Sequence, residues 1–551
     1  MLEKSILKDH PILTAAAALG VANHLFLKRY EPSRRTVIHA AVLLLVQPVL
    51  LPFLLQRYAA IQFSLSDVGL GYLAFFTSLT SSIVLYRTSP FHPLARVPGP
   101  MIFKITKLWR VYLCYKGHQD LDLKALHDKY GPIVRTGPND ISVIDAKSVK
   151  SVLSSDSMSK GPAYLTIKEP GRAGGLIQLP FGDQRTDRRR IWNRGFTTEA
   201  IKSYQEIVMK KAAQLAEGLG AQSNSEVDLL QWMGLFSFDF MAEMAFGGGS
   251  EMLKEGKDTI GAAEVIRKGM WIAETFSHIP WFTSLARSLP PVWANGQKLR
   301  GFAEDWCMER IQRGAEKKDL WYHLTDEAGH EKVKPTIDIV ASDAGLAIIA
   351  GSDTTSTAVT NLFWCLMAHP ETYERLREEV DREYPMGIDP LLDTSRHGNK
   401  EYLTACLNES LRLFPPVPSN GPRVVGTEGR VIHGHYLPER TQVYVPPYAV
   451  HRNPENFSPA PDSFLPERWL GRKDANFTIK MDAFIPFSAG PANCIGKNLA
   501  RLEMMMVITM LVQKFEFEFG KGFNWKEWPS QKIDAFVSQS EPLKVVVKPR
   551  F

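Results

Sequence analysis

Three apolar runs fill most of the first 86 residues and restrict the start of this chain more than any other feature. Pro11–Leu27, Ile38–Leu55 and Val68–Tyr86 contain no Asp, Glu, Lys or Arg. Each approaches the roughly 20 residues that a helix needs to cross a bilayer core. A backbone in hydrocarbon must satisfy its own hydrogen bonds, so such runs are expected as helices. The first, interrupted by Asn23 and His24, competes with a signal-peptide reading, but no small-residue cleavage site follows it and two further runs do. Three spans are preferred to a shorter anchor with interfacial helices. Lys28, Arg29, Arg34 and Arg35 lie in the first connection, Arg57 alone in the second, and Arg87 and Arg96 after the third. That asymmetry puts the first connection and everything beyond Tyr86 in the cytosol, with the N-terminus in the lumen. The sequons Asn408-Glu-Ser410, Asn456-Phe-Ser458 and Asn476-Phe-Thr478 are then expected to carry no glycan.

Pro90, Pro93 and Val97-Pro98-Gly99-Pro100 come next, dense enough in proline to predict a stiff, extended connection. With 44% hydrophobic residues over 551 positions, the remainder can bury a large core. A formal net charge of +6 gives no ground for nucleic-acid binding. Cys114, Cys307, Cys365, Cys406 and Cys494 are odd in number, far apart and without a C-x-x-C, which argues against a zinc site or disulfide framework. Lys129–Asp145 reads as two short strands around a Gly-Pro-Asn-Asp turn. Ser159–Phe181, with Tyr164, Leu165, Ile167, Leu176 and Ile177, reads as loop. Residues 200–320 read as amphipathic helices holding Trp232, Phe236, Phe238 and Phe240. Gly247-Gly-Gly249 lacks the strand-to-helix frame of a dinucleotide site. The patch Met270-Trp271-Ile272, Phe276 and Ile279-Pro-Trp281-Phe282 suits either a core or a membrane interface.

The chemistry gathers in a few short motifs. Phe487-Ser-Ala-Gly490-Pro-Ala-Asn-Cys494-Ile-Gly496 precedes a run of good helix formers, Lys497–Phe515. Cys494 is thus expected near a helix N-terminus, where free N–H groups and the helix dipole favour a thiolate. Gly490 and Gly496 are expected to take dihedrals closed to bulkier residues. A lone cysteine is equally compatible with a small buried hydrophobe, a redox thiol or a metal ligand. Ile337–Met367 reads as one long helix interrupted by Ala350-Gly351-Ser352-Asp353-Thr354-Thr355, poor helix formers that predict a local opening. Glu409 and Arg412 sit one helical turn apart on Glu401–Leu413. Phe464-Leu-Pro466-Glu467-Arg468-Trp469 follows, and Arg185, Arg188, Arg189, Arg190 and Arg194 form a basic run, a solvated face or a binding surface.

In this order the motifs resemble the cytochrome P-450 family: F-x-x-G-x-x-x-C-x-G with Lys497-Asn-Leu-Ala500 beside it, A-G-x-D-T-T, E-x-x-R and P-E-R-W. The resemblance runs from residue 97 to about 515 and looks like the fungal microsomal type. It implies a mainly α fold with small β-sheets, a triangular helical domain around haem. The implied division is a membrane anchor over 1–88, a hinge over 89–100 and a catalytic domain over 101–551. Cys494 would be the axial thiolate on haem b, within a loop shaped by Phe487, Gly490 and Gly496. Arg189 and Arg423 would hold haem propionates, Arg423 offsetting Ala492, where the family usually has a basic residue. Asp353 and Thr354 would relay protons to dioxygen, and Glu409, Arg412 and Arg468 would form a buried cluster. Tyr164, Leu165, Ala350, Val417, Val424 and Val425 would line the substrate pocket.

The implied activity is a monooxygenase that inserts one oxygen atom from dioxygen into a hydrophobic substrate, a terpenoid or similar secondary metabolite. Electrons would come from NADPH through NADPH–cytochrome P-450 reductase, with cytochrome b5 as a second donor, at the endoplasmic reticulum membrane. The remaining arginines of the basic run, with Lys497 and Arg501, would form part of the docking face for that donor. The alternatives are an oxygen-independent haem-thiolate isomerase or dehydratase, against which Asp353-Thr354 argues, and a non-catalytic haem-binding membrane protein.

Overall fold

The computed structural model describes residues 11–29, 36–155, 158–165, 172–282, 290–314, 318–393, 396, 400–471 and 476–551. Arg34, Arg35 and Ile167 lie outside them. The three apolar runs form helices Pro11–Arg29, Val37–Ala59 and Leu65–Thr88, each long and apolar enough to cross a membrane. Their few polar side chains find one another. Asn23 Nδ2 donates to Gln47 Oε1 at 2.6 Å, His24 Nδ1 lies 2.7 Å from Ser82 Oγ, and Ser78 Oγ donates to the Ala17 carbonyl at 2.8 Å. A Cβ on Gly20 would fall 2.1 Å from Ser78 Oγ, the close approach expected of small residues between helices in lipid.

The proline-rich stretch is not the extended linker expected from its composition. Residues 89–97 form successive turns, because Leu94 and Val97 have apolar surface to bury and do so at 1% exposure each. The buried Arg135 guanidinium fastens this junction, donating to the carbonyls of Gly137, Pro138 and Arg87. The chain beyond 97 is extended, and Gly99, at φ +157°, lets Arg135 come close: a Cβ there would meet the Arg135 carbonyl oxygen at 2.4 Å.

The rest is mainly α-helical with small sheets, as expected. A five-stranded sheet runs in the order Ile133–Gly137, Asp140–Val143, Gln442–Tyr444, Arg423–Val424, Ser159–Lys160, with one parallel pair, Asp140–Val143 on Gln442–Tyr444. One apolar core lies under this sheet and a larger one inside the helices. Leu229–Phe246 is apolar on nearly every side, and the structure buries it all round, against Thr198–Ala221 and Ile337–Ala368. It is therefore a central helix and not an amphipathic one. The long helix Ile337–Ala368 also departs from expectation, running unbroken through residues 350–355. Ser352 Oγ and Thr354 Oγ1 donate to the carbonyls of Ile348 and Ala350, both at 2.6 Å, so these hydroxyls bond within the helix and do not open it. Gly351 is present for closeness, since a Cβ there would lie 2.4 Å from Met241 Sδ.

Candidate functional site

The cysteine loop is built from its backbone outward. Gly490 starts a short 3-10 turn at φ +67°, and a Cβ on it would lie 2.2 Å from the Leu153 carbonyl oxygen, so only glycine fits. The Cys494 amide donates to the Phe487 carbonyl at 2.9 Å, and helix Lys497–Lys514 leaves directly after Gly496. Gly496 has an ordinary φ of −77°, contrary to expectation. A Cβ there would stand in ordinary contact, 3.8 Å from the Phe196 ring and 3.9 Å from Cys494 Sγ, so neither dihedral nor space demands glycine at this position. Burial pushes the Cys494 thiol up, against the pull of the Gly496 and Lys497 amides and of Arg189. The helix end alone does not make a thiolate; a cation on the sulfur would.

Cys494, Phe487 and Gly496 face a cavity of about 880 Å³. Ala350, Gly351, Thr354 and Thr355 line it from the long helix, so Thr354 reaches the cavity while its neighbour Asp353 is not among the lining residues. Burial raises the Asp353 carboxyl to about 7, which lets it exchange protons near neutrality.

Five cations also line the cavity: Arg172, which pairs with Glu304 and Asp338, and a group of four, Lys160, Arg185, Arg189 and Arg423. Arg189 donates to Asn493 through the carbonyl at 3.0 Å and Oδ1 at 2.8 Å, tying the basic helix Asp183–Gly195 to the cysteine loop. Arg185 donates to the Pro491 carbonyl at 2.6 Å, which brings a guanidinium beside Ala492. Lys160 donates to the Ile177 carbonyl, and burial, then Arg185 and Arg423, hold its ammonium well below the usual range. Buried Arg185 Nε and Arg423 Nη1 find no acceptor among the described residues. No carboxylate pairs with any of the four among the described residues, so the cluster suits a ligand bearing anionic groups. Lys160 and Arg185 were not singled out for this role in the sequence, because only the tertiary fold brings them to Arg423.

Of the residues expected in the pocket, Tyr164, Ala350 and Val417 line the cavity, with Leu176 and Ile177. Leu165, Val424 and Val425 do not. Leu165 is 38% exposed, Val424 pairs with Ser159 in the sheet, and Val425 packs into the sheet core with Ile432 and Val443. Met270, Ile272 and Phe276 line it too, while Trp281 is 48% exposed and Trp271 Nε1 donates to the Tyr115 carbonyl, so the aromatic patch forms wall and rim together. Phe536, at φ +71° on the tip of hairpin Ile533–Gln539, enters the cavity with no local sequence signal.

Glu409, Arg412 and Arg468 meet with fully buried side chains. Arg412 donates to both Glu409 oxygens at 2.8 Å, Arg468 Nε to Oε1 at 3.3 Å and Trp469 Nε1 to Oε2 at 2.9 Å. The basic run is less open than expected. Arg188 pairs with Asp343 at 2.7 Å, Arg194 with Asp326 at 3.0 Å and Arg190 with Glu331 at 2.5 Å, so carboxylates of this chain already meet those charges. Arg501 donates to Asn408 Oδ1, leaving Lys497 exposed.

Residues 96–547 match the family model for cytochrome P-450. A cytochrome P-450 monooxygenase of Fusarium pseudograminearum is 31% identical over 86% of this chain and 85% of its own length. Tryprostatin B 6-hydroxylase of Aspergillus fumigatus is 28% identical over 98% of this chain and 96% of its own. Averantin hydroxylase of Dothistroma septosporum is 29% identical over 88% of this chain and 91% of its own. With a family match over most of its length and a cavity onto which a loop cysteine, a helix threonine and a cation cluster converge, this chain belongs to the cytochrome P-450 family of haem-thiolate monooxygenases.

Proposed function

We propose that this monooxygenase hydroxylates a lipophilic secondary metabolite at a haem whose iron is held by Cys494 Sγ. One observation carries the reading: the sulfur, Thr354 and the cation cluster share a single cavity. The residues present fit haem. Arg185 Nε and Arg423 Nη1, buried without acceptors, suit its propionates together with Arg189 and Lys160, and Arg185 covers for the missing charge at Ala492. Bound there, haem supplies dioxygen activation and the oxidising power for C–H hydroxylation. The chain's own part is ligation by Cys494, an apolar wall that excludes water, and delivery of protons by Thr354 and Asp353. Overall, one oxygen atom enters the substrate, and the other leaves as water with two electrons and two protons.

The electrons are proposed to come from NADPH through NADPH–cytochrome P-450 reductase, with cytochrome b5 as a second donor. NADPH-driven oxygen uptake with added reductase tests this. A normal haem-thiolate spectrum without oxygen uptake would favour an isomerase or dehydratase. Asp353→Asn removes a carboxyl that titrates near 7 and should slow turnover by roughly 100-fold, the size of a lost general-acid contribution. In the wild type, raising the pH through 7 ionises Asp353 in a desolvated place, so its contribution opposes folding above that pH and not below about 4. Asp353→Asn should therefore flatten that part of the pH–stability curve.

The proposed division is anchor 1–88, junction 89–100 and catalytic domain 101–551, at the endoplasmic reticulum with the catalytic domain in the cytosol. The family match from residue 96 and the three apolar helices support it. Asn456 is fully buried and donates to the Ile144 carbonyl, whereas Asn476 is exposed and sterically free to be modified. Mass spectrometry of microsomal protein should find Asn476 bare; glycan on it would reverse the topology.

A further inference from the structure

The cavity has a second charged feature, of opposite sign to the cations. Glu274, on helix Ala262–Ser277, lines it at 8% exposure. Its Oε1 accepts from Gln119 Nε2 at 2.9 Å, and no donor among the described residues reaches Oε2. The surrounding network is closed. Gln119 Oε1 lies 3.0 Å from Arg110 Nε and 2.9 Å from His278 Nε2, and His278 Nδ1 lies 3.0 Å from the Tyr444 hydroxyl. Both ring nitrogens of His278 are thus engaged, so Cys114, Glu274 and His278, though close together, leave no imidazole for a metal.

The charges around Glu274 do not balance. Asp534, which accepts from Ser419 Oγ, acts on Glu274 as a second carboxylate, while Asp120, near Asp534 in turn, also faces the Arg452 guanidinium. Against Glu274 and Asp534 stands Arg110, which donates to Gln119 and to Thr136 Oγ1 at 3.0 Å, lies over the Tyr444 ring and makes no hydrogen bond to a carboxylate among the described residues. Burial keeps Cys114, Tyr444, Tyr164 and His278 uncharged near neutrality. The other carboxylates on the cavity differ: Arg172 holds Glu304 and Asp338 in ion pairs, and burial pushes the carboxyl of Glu503, on the helix that leaves the cysteine loop, well above the usual range. Around Glu274 the lining is apolar, with Ile266, Met270, Phe276 and Phe536.

We propose that Glu274 is the specificity-determining residue that receives a positively charged nitrogen, so that the substrate is a lipophilic amine. This deepens the monooxygenase reading and rests on it. An unused buried acceptor beside a second carboxylate gains most from a cationic donor, because a neutral donor leaves the excess negative charge in place. The apolar wall then holds the rest of the molecule.

The test uses the full chain with haem and equilibrium dialysis of two probes of one shape, N,N-dimethyl-4-phenylbutylamine and (5-methylhexyl)benzene. At pH 8 the amine should bind on the order of 10-fold more tightly, an effect typical of a desolvated charge pair. Glu274→Gln should bring the ratio close to one while leaving the hydrocarbon's affinity alone, and Glu274→Asp should keep part of the preference. In the wild type the preference should fade from pH 8 to pH 6, because burial and Asp534 raise the Glu274 carboxyl to about 7 and Asp120 titrates in the same window. An unchanged ratio in Glu274→Gln, or a preference indifferent to pH should the variants not fold, would overturn the proposal. Failure of the monooxygenase reading looks different: the reduced carbon-monoxide complex would lack the red-shifted Soret band whichever residue stood at 274.

Discussion

Glu409→Ala is expected to yield protein that holds little haem and unfolds at a much lower temperature than the wild type. The carboxylate accepts from Arg412, Arg468, Trp469 and the Leu465 amide, so its loss strands two guanidinium groups whose side chains have no contact with water. Breaking a buried ion cluster by removing one member costs about 3–5 kcal/mol, against a total domain stability of about 5–15 kcal/mol. The damage spreads because the cluster joins distant segments. Arg412 also donates to the carbonyls of His451, Pro461 and Ser463, and Arg468 to those of Pro459 and Ala460. His451 Nε2 in turn accepts from the Ile485 amide at the foot of the cysteine loop. A loosened cluster therefore loosens the loop. Arg412→Ala should be similarly severe, and Arg412→Lys milder, since it keeps the charge but loses the bidentate bond. Haem content and thermal midpoint in detergent decide the matter; wild-type values in Glu409→Ala would refute a structural role for the cluster.

What could be read from the sequence follows a physical line. Short motifs whose chemistry is local, such as the cysteine between glycines or Glu409 one turn before Arg412, carry their meaning in spacing, and the fold brings their members together as the spacing implies. Long apolar runs are equally plain, because a bilayer leaves a helix as the economical answer. Charge neutralisation at a distance was not legible. Arg188, Arg190 and Arg194 looked like a free basic face, yet Asp343, Glu331 and Asp326 reach them from more than 130 positions away. Direction within a strand was lost too: in Arg423-Val424-Val425 only the arginine reaches the cavity. Composition misled at the prolines, where two buried apolar side chains, Leu94 and Val97, outweighed the stiffness of the segment. Glu274 gave no signal at all, for its neighbours in the chain do not announce an unpaired carboxylate in an apolar wall.

The second large effect is expected from Cys494→Ser. Serine keeps the shape of the loop: the residue-494 amide still bonds to the Phe487 carbonyl, Gly490 still clears Leu153, and Arg189 still holds Asn493. Thermal stability of the haem-free protein should therefore stay within about 1 kcal/mol of the wild type, the range of a near-isosteric change outside the core. What vanishes is the soft anionic donor. An alcohol is far harder to deprotonate than a thiol, and burial here pushes even the thiol up, so a serine oxygen would remain a neutral, weak ligand. The carbon-monoxide complex of the reduced variant should lose the red-shifted Soret band, and NADPH-driven hydroxylation should fall to background. Because the cation cluster is untouched, some haem should still bind, held by Lys160, Arg185, Arg189 and Arg423. Haem retention with a changed spectrum separates the two jobs, ligation by the sulfur and anchoring by the cations. A spectrum identical to that of the wild type would mean that another residue ligates the iron.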